Sequence, residues 1–312
     1  MSMRKKGMLV KKVFVDGSAG TTGLGIMNRL KDINGIELIK LDEEVRKDTK
    51  ARRKALNSCD IAILCLPDDA AREAVSLIDN KDVIVIDAST AHRTEPGWVY
   101  GLPELSQQQR EAIKHAKRIA VPGCHASGFI ALVNPLIQHN FISKDVRLTC
   151  HSITGYSGGG KKMIAEYENP ERETLYNAPR QYGLTQNHKH LREMVHMTGL
   201  TVPPVFCPIV SDFYSGMLVT VPLFAQDLNP GVTVNDIKNL YQKHYCHDNV
   251  HYEEQMDTNG FINANMLSGT DVMKISVLGH AERLLLTALY DNLGKGASGA
   301  AVQCLNLVLA QG

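Results

Sequence analysis

Apolar runs alternate with stretches of helical periodicity in the first part of the chain. Five such runs lie at 11–17, 36–42, 58–68, 82–90 and 118–124, and they end at Gly, Asp, Pro-Asp, Ser-Thr and Pro-Gly-Cys, respectively. Short apolar runs bounded by turn residues predict buried strands. The intervening segments 21–33 and 69–79 predict helices, the first with Leu24, Met27 and Leu30 on one side. A β-α-β order with apolar strands predicts a parallel sheet covered on both faces.

The pattern changes after residue 124. Residues 155–162 are rich in glycine, and 215–224 alternates as antiparallel strands do. The last residues again read as a helix. We therefore predict two domains: a dinucleotide-binding domain over 1–123, joined by a C-terminal helix at about 292–312, and a catalytic or substrate domain over 124–291.

Composition indicates an ordinary globular protein with a small-molecule substrate. The 312 residues are 44% hydrophobic and 21% charged, with a formal net charge of +1. This balance favours neither nucleic acid nor a membrane surface, and no apolar run approaches the length of a membrane span. The odd number of cysteines, seven, and the absence of a CxxC pair argue against disulfides and structural zinc, so we expect a reducing, cytoplasmic location.

A glycine-rich turn separates the first predicted strand from the first predicted helix. The stretch reads Gly17, Ser18, Ala19, Gly20, Thr21, Thr22 and Gly23. A turn of this kind lets the backbone approach a pyrophosphate, which then lies at the helix N-terminus. The GxxGxxG spacing differs from the usual GxGxxG, and a plain tight β-α turn is the alternative.

The residues after the second strand leave the choice of dinucleotide open. Asp42 lies about 20 residues past the glycines, where an acidic side chain can bind the ribose of NAD. A cluster of cations follows and could instead hold the 2′-phosphate of NADP; its members are Arg46, Lys47, Arg52 and Arg53. A solvated loop of mixed charge is the third interpretation.

Cys124 ends the last predicted strand of the first half. It follows Pro-Gly and precedes a helical segment at 129–138, so its thiol is expected near a helix N-terminus. The positive end of a helix dipole favours thiolate, and backbone N–H groups there can hold an oxyanion. The small residues 126–128 leave room for a substrate. The alternative is a structural thiol, as we expect for Cys65 and Cys304.

A catalytic thiol needs a base, and His188 and His190 are the candidates. Their spacing places both rings on one side of an extended segment, with Glu193 completing an H-x-H-x-x-E pattern. Zinc binding is a rival interpretation, but no clear further ligand follows. His125 is adjacent to Cys124 along the predicted helix, which argues against it as the base. His280 is expected at the surface or in packing.

The segment GYSGGGKK at 155–162 is a candidate anion site. Successive glycine amides, Gly158 among them, together with Ser157 can form a nest, and Lys161 or Lys162 can add a charge. A flexible glycine loop is the alternative.

Seven motifs together carry a family resemblance that spans about residues 11–310. They are GSAGTTG, DAST-x-HR at 87–93, YGLPEL at 100–105, VPGCHASG, SGGGKK, HKHLREM and DNLGKGASGAAVQ at 291–303. In this order they resemble the N-acetyl-γ-glutamyl-phosphate reductase family in its shorter form. Aspartate-semialdehyde dehydrogenase is a broader relative, and glyceraldehyde-3-phosphate dehydrogenase a more distant one.

The resemblance implies an α/β fold: a Rossmann dinucleotide-binding domain plus an α/β substrate and dimerisation domain with a mixed, largely antiparallel sheet. It implies NADP as the cofactor, a homodimer or homotetramer, and Cys124 as a nucleophile that forms a thioester. One of His188 and His190 would then be the general acid/base. Glu193 is implied in the substrate site, and Arg93 or Lys161 would help at the leaving phosphate.

Two departures from the family pattern concern substrate geometry. The family often has an aromatic residue where His125 stands here, and Thr-Pro where this chain has Leu191-Arg192. Reductases of homologous acyl phosphates, of aspartyl or aminoadipyl type, therefore stay as alternatives. A dinucleotide-binding regulator without catalysis is a further one.

Overall fold

A computed structural model describes residues 10–246 and 249–311. The chain divides into two compact units. The first comprises Met1–Gly101, Glu111–Val121 and Ala301–Gly312, and the second comprises Leu102–Arg110 and Pro122–Ala300. The ends of the predicted first domain, residues 1–9 and 312, lie outside the described residues. In the described part of the chain, no helix has the length and apolar character that crossing a membrane requires.

The first unit contains the parallel sheet that the apolar runs predict, and the prediction is confirmed. Its strands are β1 Lys11–Asp16, β2 Ile36–Ile39, β3 Ile61–Leu64, β4 Ile84–Asp87, β5 Val99–Tyr100 and β6 Arg118–Ala120. They lie in the order β2-β1-β3-β4-β6-β5, and every described pair is parallel. Strand β3 is buried at every position, as expected for a strand covered on both faces.

Four helices belong to this half of the sequence. They are α1 Thr21–Leu30, α2 Thr49–Ser58, α3 Asp68–Ser76 and α4 Gln107–His115. Helix α2 corrects the interpretation of this stretch as a loop. It begins because the Asp48 carboxylate accepts the N–H of Ala51 at 2.8 Å, and it buries Ala55 and Leu56.

The second unit contains the mixed sheet that the resemblance implies. Its strands are β7 Thr149–Gly155, β8 Arg180–Gln181, β9 Val205–Ser211, β10 Met217–Phe224, β11 Val250–Tyr252, β12 Met273–His280 and β13 Arg283–Tyr290. The order is β11-β12-β13-β10-β7-β9-β8. The pairs β7–β9 and β11–β12 are parallel, and the four other pairs are antiparallel.

Helices complete the second half of the chain. They are α5 Cys124–Gln138, α6 Gly160–Glu168, α7 His190–Thr198, α8 Val234–His244 and α9 Gly299–Leu309, with a π-helical turn at Gly294–Ser298. Every residue of α5 from His125 to Ile137 is buried. Because α5 packs on β10, β13, α7 and α8, it is the central helix of this unit, and Cys124 is its first residue.

Candidate active site

Cys124 begins helix α5 directly after Pro122 and Gly123, with its side chain partly exposed. Gly123 has extended backbone, and its carbonyl accepts both the N–H and the hydroxyl of Ser127, at 2.9 and 3.0 Å. The thiol therefore lies in the first turn of the helix. The first N–H groups of a helix have no acceptor within it and carry the positive end of the dipole.

A carboxylate joins the Cys124 loop to helix α7. The N–H of Gly123 donates to Oε1 of Glu193 at 2.7 Å, and Glu193 is 2% exposed. Glu193 lies in the first turn of α7, three residues after His190. This buried hydrogen bond fixes the start of α7 against the residue that precedes Cys124, so it favours a positioning role for Glu193.

A tyrosine hydroxyl bridges the first turn of α5. Tyr290 Oη donates to the carbonyl of Cys124 at 2.5 Å and accepts the N–H of Gly128 at 3.1 Å. Burial raises the pKa of Tyr290 well above its usual value, so the phenol keeps its proton. A side chain at Gly128 would meet the Tyr290 ring, because a Cβ at this position would lie 2.7 Å from the hydroxyl oxygen.

The π-helical turn Gly294–Ser298 lies against the same cysteine. A Cβ at Gly296 would be 3.1 Å from the Cβ of Cys124, so this position has little room for a side chain. Within the turn, Lys295 Nζ forms a salt bridge of 2.7 Å with Glu104 Oε1, and both side chains are almost wholly buried. Glu104 and Lys295 stand inside two of the family motifs, but no local signal in the sequence indicates that they pair.

His188 and His190 lie side by side, although the segment is not extended as we expected. Lys189 has helical backbone, with φ −56° and ψ −28°, and His190 is the first residue of α7. The rings still meet, with centroids 4.7 Å apart, because His188 Nδ1 accepts the N–H of His190 at 3.2 Å. Burial lowers the pKa of His188, and the charge of Lys189 lowers it further.

His125, which its position beside Cys124 disfavours as the base, contacts both of these histidines. Its ring centroid lies 5.9 Å from that of His188 and 5.6 Å from that of His190. Its Nδ1 is 2.6 Å from Ser152 Oγ, and its Nε2 is 2.7 Å from Tyr182 Oη. Burial lowers the pKa of His125 to about 3, so the ring is neutral at physiological pH.

The segment GYSGGGKK forms structure instead of a loop. It makes the 3₁₀ turn Tyr156–Gly159 and the first residues of α6. Ser157 is 1% exposed, and its hydroxyl accepts a hydrogen bond of 3.0 Å from Asn292 Nδ2. Gly158 and Lys161 are exposed. The buried hydroxyl thus lies on the 3₁₀ turn and the exposed ammonium group in the first turn of α6, and their role in anion binding stays a prediction.

The glycine turn of the first unit has the tight geometry that the motif predicts. Gly17 has φ +83°, and a Cβ there would lie 2.3 Å from the carbonyl oxygen of Cys65. A Cβ at Gly23 would lie 2.3 Å from the carbonyl oxygen of Gly17. Gly20 is the N-cap of α1, and Thr21 and Thr22 begin that helix. Neither Gly17 nor Gly23 can therefore carry a side chain in this backbone.

A cavity of about 370 Å³ lies in the same unit at this turn. Gly17 and Ser18 line it together with residues from β2 and the segment after β2, including Arg46 and Lys47. Of the charges there, Arg46 forms an ion pair of 2.8 Å with the exposed Glu43. A cavity lined by the tight turn at Gly17 and by the two cations Arg46 and Lys47 is suited to bind a nucleotide with phosphate groups.

Two of the predicted phosphate-binding cations are engaged elsewhere. Arg52 is 7% exposed and joins Asp16, at 3.0 Å, to Glu73, at 2.8 Å. Burial raises the pKa of Asp16, although the neighbouring Arg52 opposes that shift. Arg53 forms an ion pair with Asp79 at 2.5 Å. Arg52 is therefore a structural residue at the cavity wall.

Arg93 lies in the loop after β4, in the first unit. It is buried, and its guanidinium donates to the carbonyls of Val121 at 2.9 Å and Ala88 at 3.3 Å. A buried hydrogen bond of 2.6 Å joins His92 of the same loop to Asp87 at the end of β4. The contacts of Arg93 with the backbone order this loop, and its predicted role at the substrate phosphate stays a prediction.

His280 and the possible metal ligands are the remaining features that the sequence singles out. His280 ends β12 at the surface, where its Nε2 accepts a hydrogen bond of 3.3 Å from Arg283. Among the residues that the structure describes, no three His, Cys, Asp or Glu side chains are grouped as metal ligands.

Comparison with known proteins gives matches over nearly the whole chain. Residues 12–116 match the family model "Semialdehyde dehydrogenase, NAD binding domain", and residues 124–292 match "Semialdehyde dehydrogenase, dimerisation domain". A protein of Nostoc sp. named N-acetyl-gamma-glutamyl-phosphate reductase 2 is 43% identical over 310 residues, 96% of each chain. An N-acetyl-gamma-glutamyl-phosphate reductase of Rhizobium meliloti is 43% identical over 306 residues, 96% of this chain and 99% of its own.

Solved structures have the same fold at low identity. Aspartate semialdehyde dehydrogenase II of Vibrio cholerae, complexed with ASA, superposes with a TM-score of 0.72 at 15% identity, over 96% of this chain and 98% of its own. Aspartate semialdehyde dehydrogenase of Candida albicans, solved with NADP, gives 0.68 at 16% identity, over 97% and 99%.

Proposed function

This chain belongs to the N-acetyl-gamma-glutamyl-phosphate reductase family, and we propose that it reduces N-acetyl-γ-glutamyl phosphate to N-acetylglutamate 5-semialdehyde and phosphate. The reaction is a step of arginine biosynthesis. The observation that carries the proposal is the meeting of three segments at the start of helix α5. Cys124 begins a buried helix, Glu193 ties its loop to α7, and the rings of His188 and His190 pack on the neighbouring His125.

The first half of the reaction is acyl transfer to sulfur. A histidine of the cluster takes the thiol proton, and the Cys124 thiolate attacks the acyl carbon of the substrate. The N–H groups of the first turn of α5 stabilise the oxyanion that forms. As the carbonyl is restored, the C–O bond to phosphate breaks, the phosphate leaves with its electron pair, and a thioester remains on Cys124.

The second half converts the thioester to an aldehyde. When bound, NADPH supplies the hydride for this step. The histidine gives its proton to the oxygen of the resulting thiohemiacetal. It takes that proton back as the C–S bond breaks, which releases the semialdehyde and the Cys124 thiolate. We assign this proton transfer to His190, because the Nδ1 of His188 is already engaged as an acceptor.

The remaining contacts follow the sequence motifs. We propose that the pyrophosphate of NADP is held by Gly17, Ser18, Gly20, Thr21, Thr22 and Gly23. Arg46 and Lys47 would contact its 2′-phosphate, because they are the cations of the cluster that line the cavity without a buried carboxylate partner. Arg93, Ser157, Gly158 and Lys161 are proposed at the substrate and its phosphate.

The test is phosphate-dependent oxidation of N-acetylglutamate semialdehyde by the purified protein, with NADP and NAD compared. Cys124→Ser should abolish turnover, and Cys246→Ser, at an exposed cysteine, should leave it unchanged. Arg46→Glu should raise the KM for NADP and leave that for NAD nearly unchanged. If the aspartate or aminoadipate semialdehyde is turned over faster, that compound and not N-acetylglutamate semialdehyde is the substrate. Full activity of Cys124→Ser would refute the mechanism.

We also propose a cytoplasmic homo-oligomer, a dimer or tetramer. All seven cysteines carry thiols, as expected in a reducing compartment. Helices α5 and α8 pack on one face of the second sheet, and the opposite face carries a row of half-buried apolar side chains, Ile209, Ile153 and Leu218. Leu285 on this face is 43% exposed. In a homo-oligomer, a second copy of the chain would cover this apolar face. Ile153→Lys should then yield monomers, as measured by light scattering. An unchanged molecular mass would refute this interface.

A further inference from the structure

Three side chains of the second unit form a hydrogen-bond chain that the mechanism above does not use. Ser152 on β7 lies 2.6 Å from one ring nitrogen of His125, and Tyr182, just after β8, lies 2.7 Å from the other. Ser152 is wholly buried, His125 is 3% exposed, and Tyr182 is partly exposed. The chain therefore leads from the interior of the unit toward a more accessible hydroxyl.

The direction of these hydrogen bonds follows from counting donors. A neutral imidazole has one N–H donor and one acceptor nitrogen. In the described part of the chain, His125 Nδ1 is the only side-chain or backbone group within hydrogen-bond distance of the Ser152 hydroxyl. A buried hydroxyl that donates to nothing loses its full hydration without compensation. Ser152 therefore donates to Nδ1, and the ring proton lies on Nε2, which donates to Tyr182.

This tautomer leaves the proton of Tyr182 for another acceptor. Tyr182 Oη accepts from His125, and His125 is its only hydrogen-bond partner among residues 10–246 and 249–311. Burial and the nearby charge of Cys124 raise the pKa of Tyr182, so the phenol stays protonated at neutral pH. Its ring packs at 6.1 Å from that of His188.

We infer that Ser152 and His125 orient the Tyr182 hydroxyl as a hydrogen-bond donor to the acyl oxygen of the substrate bound at Cys124. The inference rests on the proposed function and adds a residue to it. The charge of Cys124 acts on the Tyr182 phenol, so the hydroxyl that His125 holds lies in the neighbourhood of the thiol. That oxygen gains negative charge when sulfur attacks and again when hydride is added, and a fixed donor stabilises both states. Tyr182 is the catalytic residue, and Ser152 and His125 are positioning residues.

The test measures steady-state kinetics of the full-length protein with N-acetylglutamate semialdehyde, phosphate and NADP. Tyr182→Phe removes only the hydroxyl and should lower kcat roughly 10- to 100-fold with little change in KM. Ser152→Ala removes the donor that fixes the tautomer and should lower kcat several-fold. The matched control is Tyr252→Phe. Tyr252 ends β11, and its hydroxyl donates to the exposed Glu254 two residues later, so its loss should not affect turnover.

The double variant Ser152→Ala/Tyr182→Phe distinguishes orientation from simple packing. If Ser152 acts through Tyr182, the double variant should be no slower than Tyr182→Phe alone. Multiplicative losses, an unchanged kcat in Tyr182→Phe, or an effect on KM alone would each overturn the inference. A wild-type protein without turnover would instead refute the proposed function, and the inference with it, so the two failures are distinguishable.

Discussion

Acid pH tests the environment of His125 directly, because this histidine is neutral in the folded protein and becomes charged on unfolding. Its folded pKa is lowered to about 3 by burial, whereas an exposed histidine in an unfolded chain has a pKa of about 6.5. Below pH 6.5 the unfolded state therefore binds a proton that the folded state does not. Stability from this group is fully present above pH 6.5 and is lost progressively as the pH falls from 6.5 to 3.

The size of the effect follows from the two pKa values. Between pH 7 and pH 5, protonation of one histidine in the unfolded state lowers the free energy of unfolding by about 2 kcal/mol. The folded state contributes almost nothing over this range. The variant His125→Phe removes the titration and leaves Ser152 and Tyr182 without their ring partner. At pH 7 it should be less stable than the wild type by about 1–3 kcal/mol. Its loss of stability between pH 7 and pH 5 should be about 2 kcal/mol smaller, so the deficit should shrink or vanish at pH 5.

Urea unfolding followed by far-UV circular dichroism at pH 7, 6 and 5 measures this difference. Other histidines with lowered pKa values, such as His188, are present in both proteins and cancel in the comparison. His251→Gln, at an exposed position on β11, is the matched control and should keep the wild-type acid loss. If His125→Phe loses as much stability between pH 7 and pH 5 as the wild type, His125 is not held neutral by burial and the reasoning fails.

Three further predictions concern the packing around Cys124. Tyr290→Phe removes the hydroxyl that bridges Cys124 and Gly128. We expect kcat to fall and the free energy of unfolding, measured in urea, to decrease by about 1–2 kcal/mol. Unchanged kcat and stability would contradict the bridging role. Gly128→Ala forces a methyl group against the Tyr290 ring and should cost about 1–3 kcal/mol, whereas a neutral result would mean that the ring moves aside. Lys295→Met removes the ammonium group that pairs with the buried Glu104 carboxylate and should cost about 3–5 kcal/mol. The double variant Lys295→Met/Glu104→Leu should recover most of this loss, and a single variant as stable as the wild type would contradict the importance of the pair.

The sequence predicts those parts of the fold that depend on local pattern. The parallel strands appear as short apolar runs, and the Gly17 turn appears as glycines where the backbone has φ +83°. Cys124 is predictable at a helix start because Pro-Gly precedes it and small residues follow. Helix α2 is not predictable in this way. Polar and charged residues dominate its sequence, and the few apolar residues that it buries, such as Ala55 and Leu56, form no clear pattern.

The local sequence pattern does not show which side chains from distant segments pair with each other. Arg52 looks like a phosphate ligand in sequence, yet it binds carboxylates 36 and 21 positions away, on Asp16 and Glu73. The sequence argues against His125 as the base for Cys124, because neighbouring residues on a helix do not face each other. That rule concerns one helix, and the histidines that His125 contacts come from α7 and the segment just before it.

The same rule explains how adjacent residues serve two purposes. Side chains of consecutive helical residues point about 100° apart. At the start of α5 this leaves Cys124 partly exposed while His125, at 3% exposure, turns into the unit. A phenylalanine at position 125 would fill the space but could form a hydrogen bond with neither Ser152 nor Tyr182. His125, which departs from the aromatic residue common in the family, thus requires two polar partners. Ser152 and Tyr182 supply them from segments far away in the sequence.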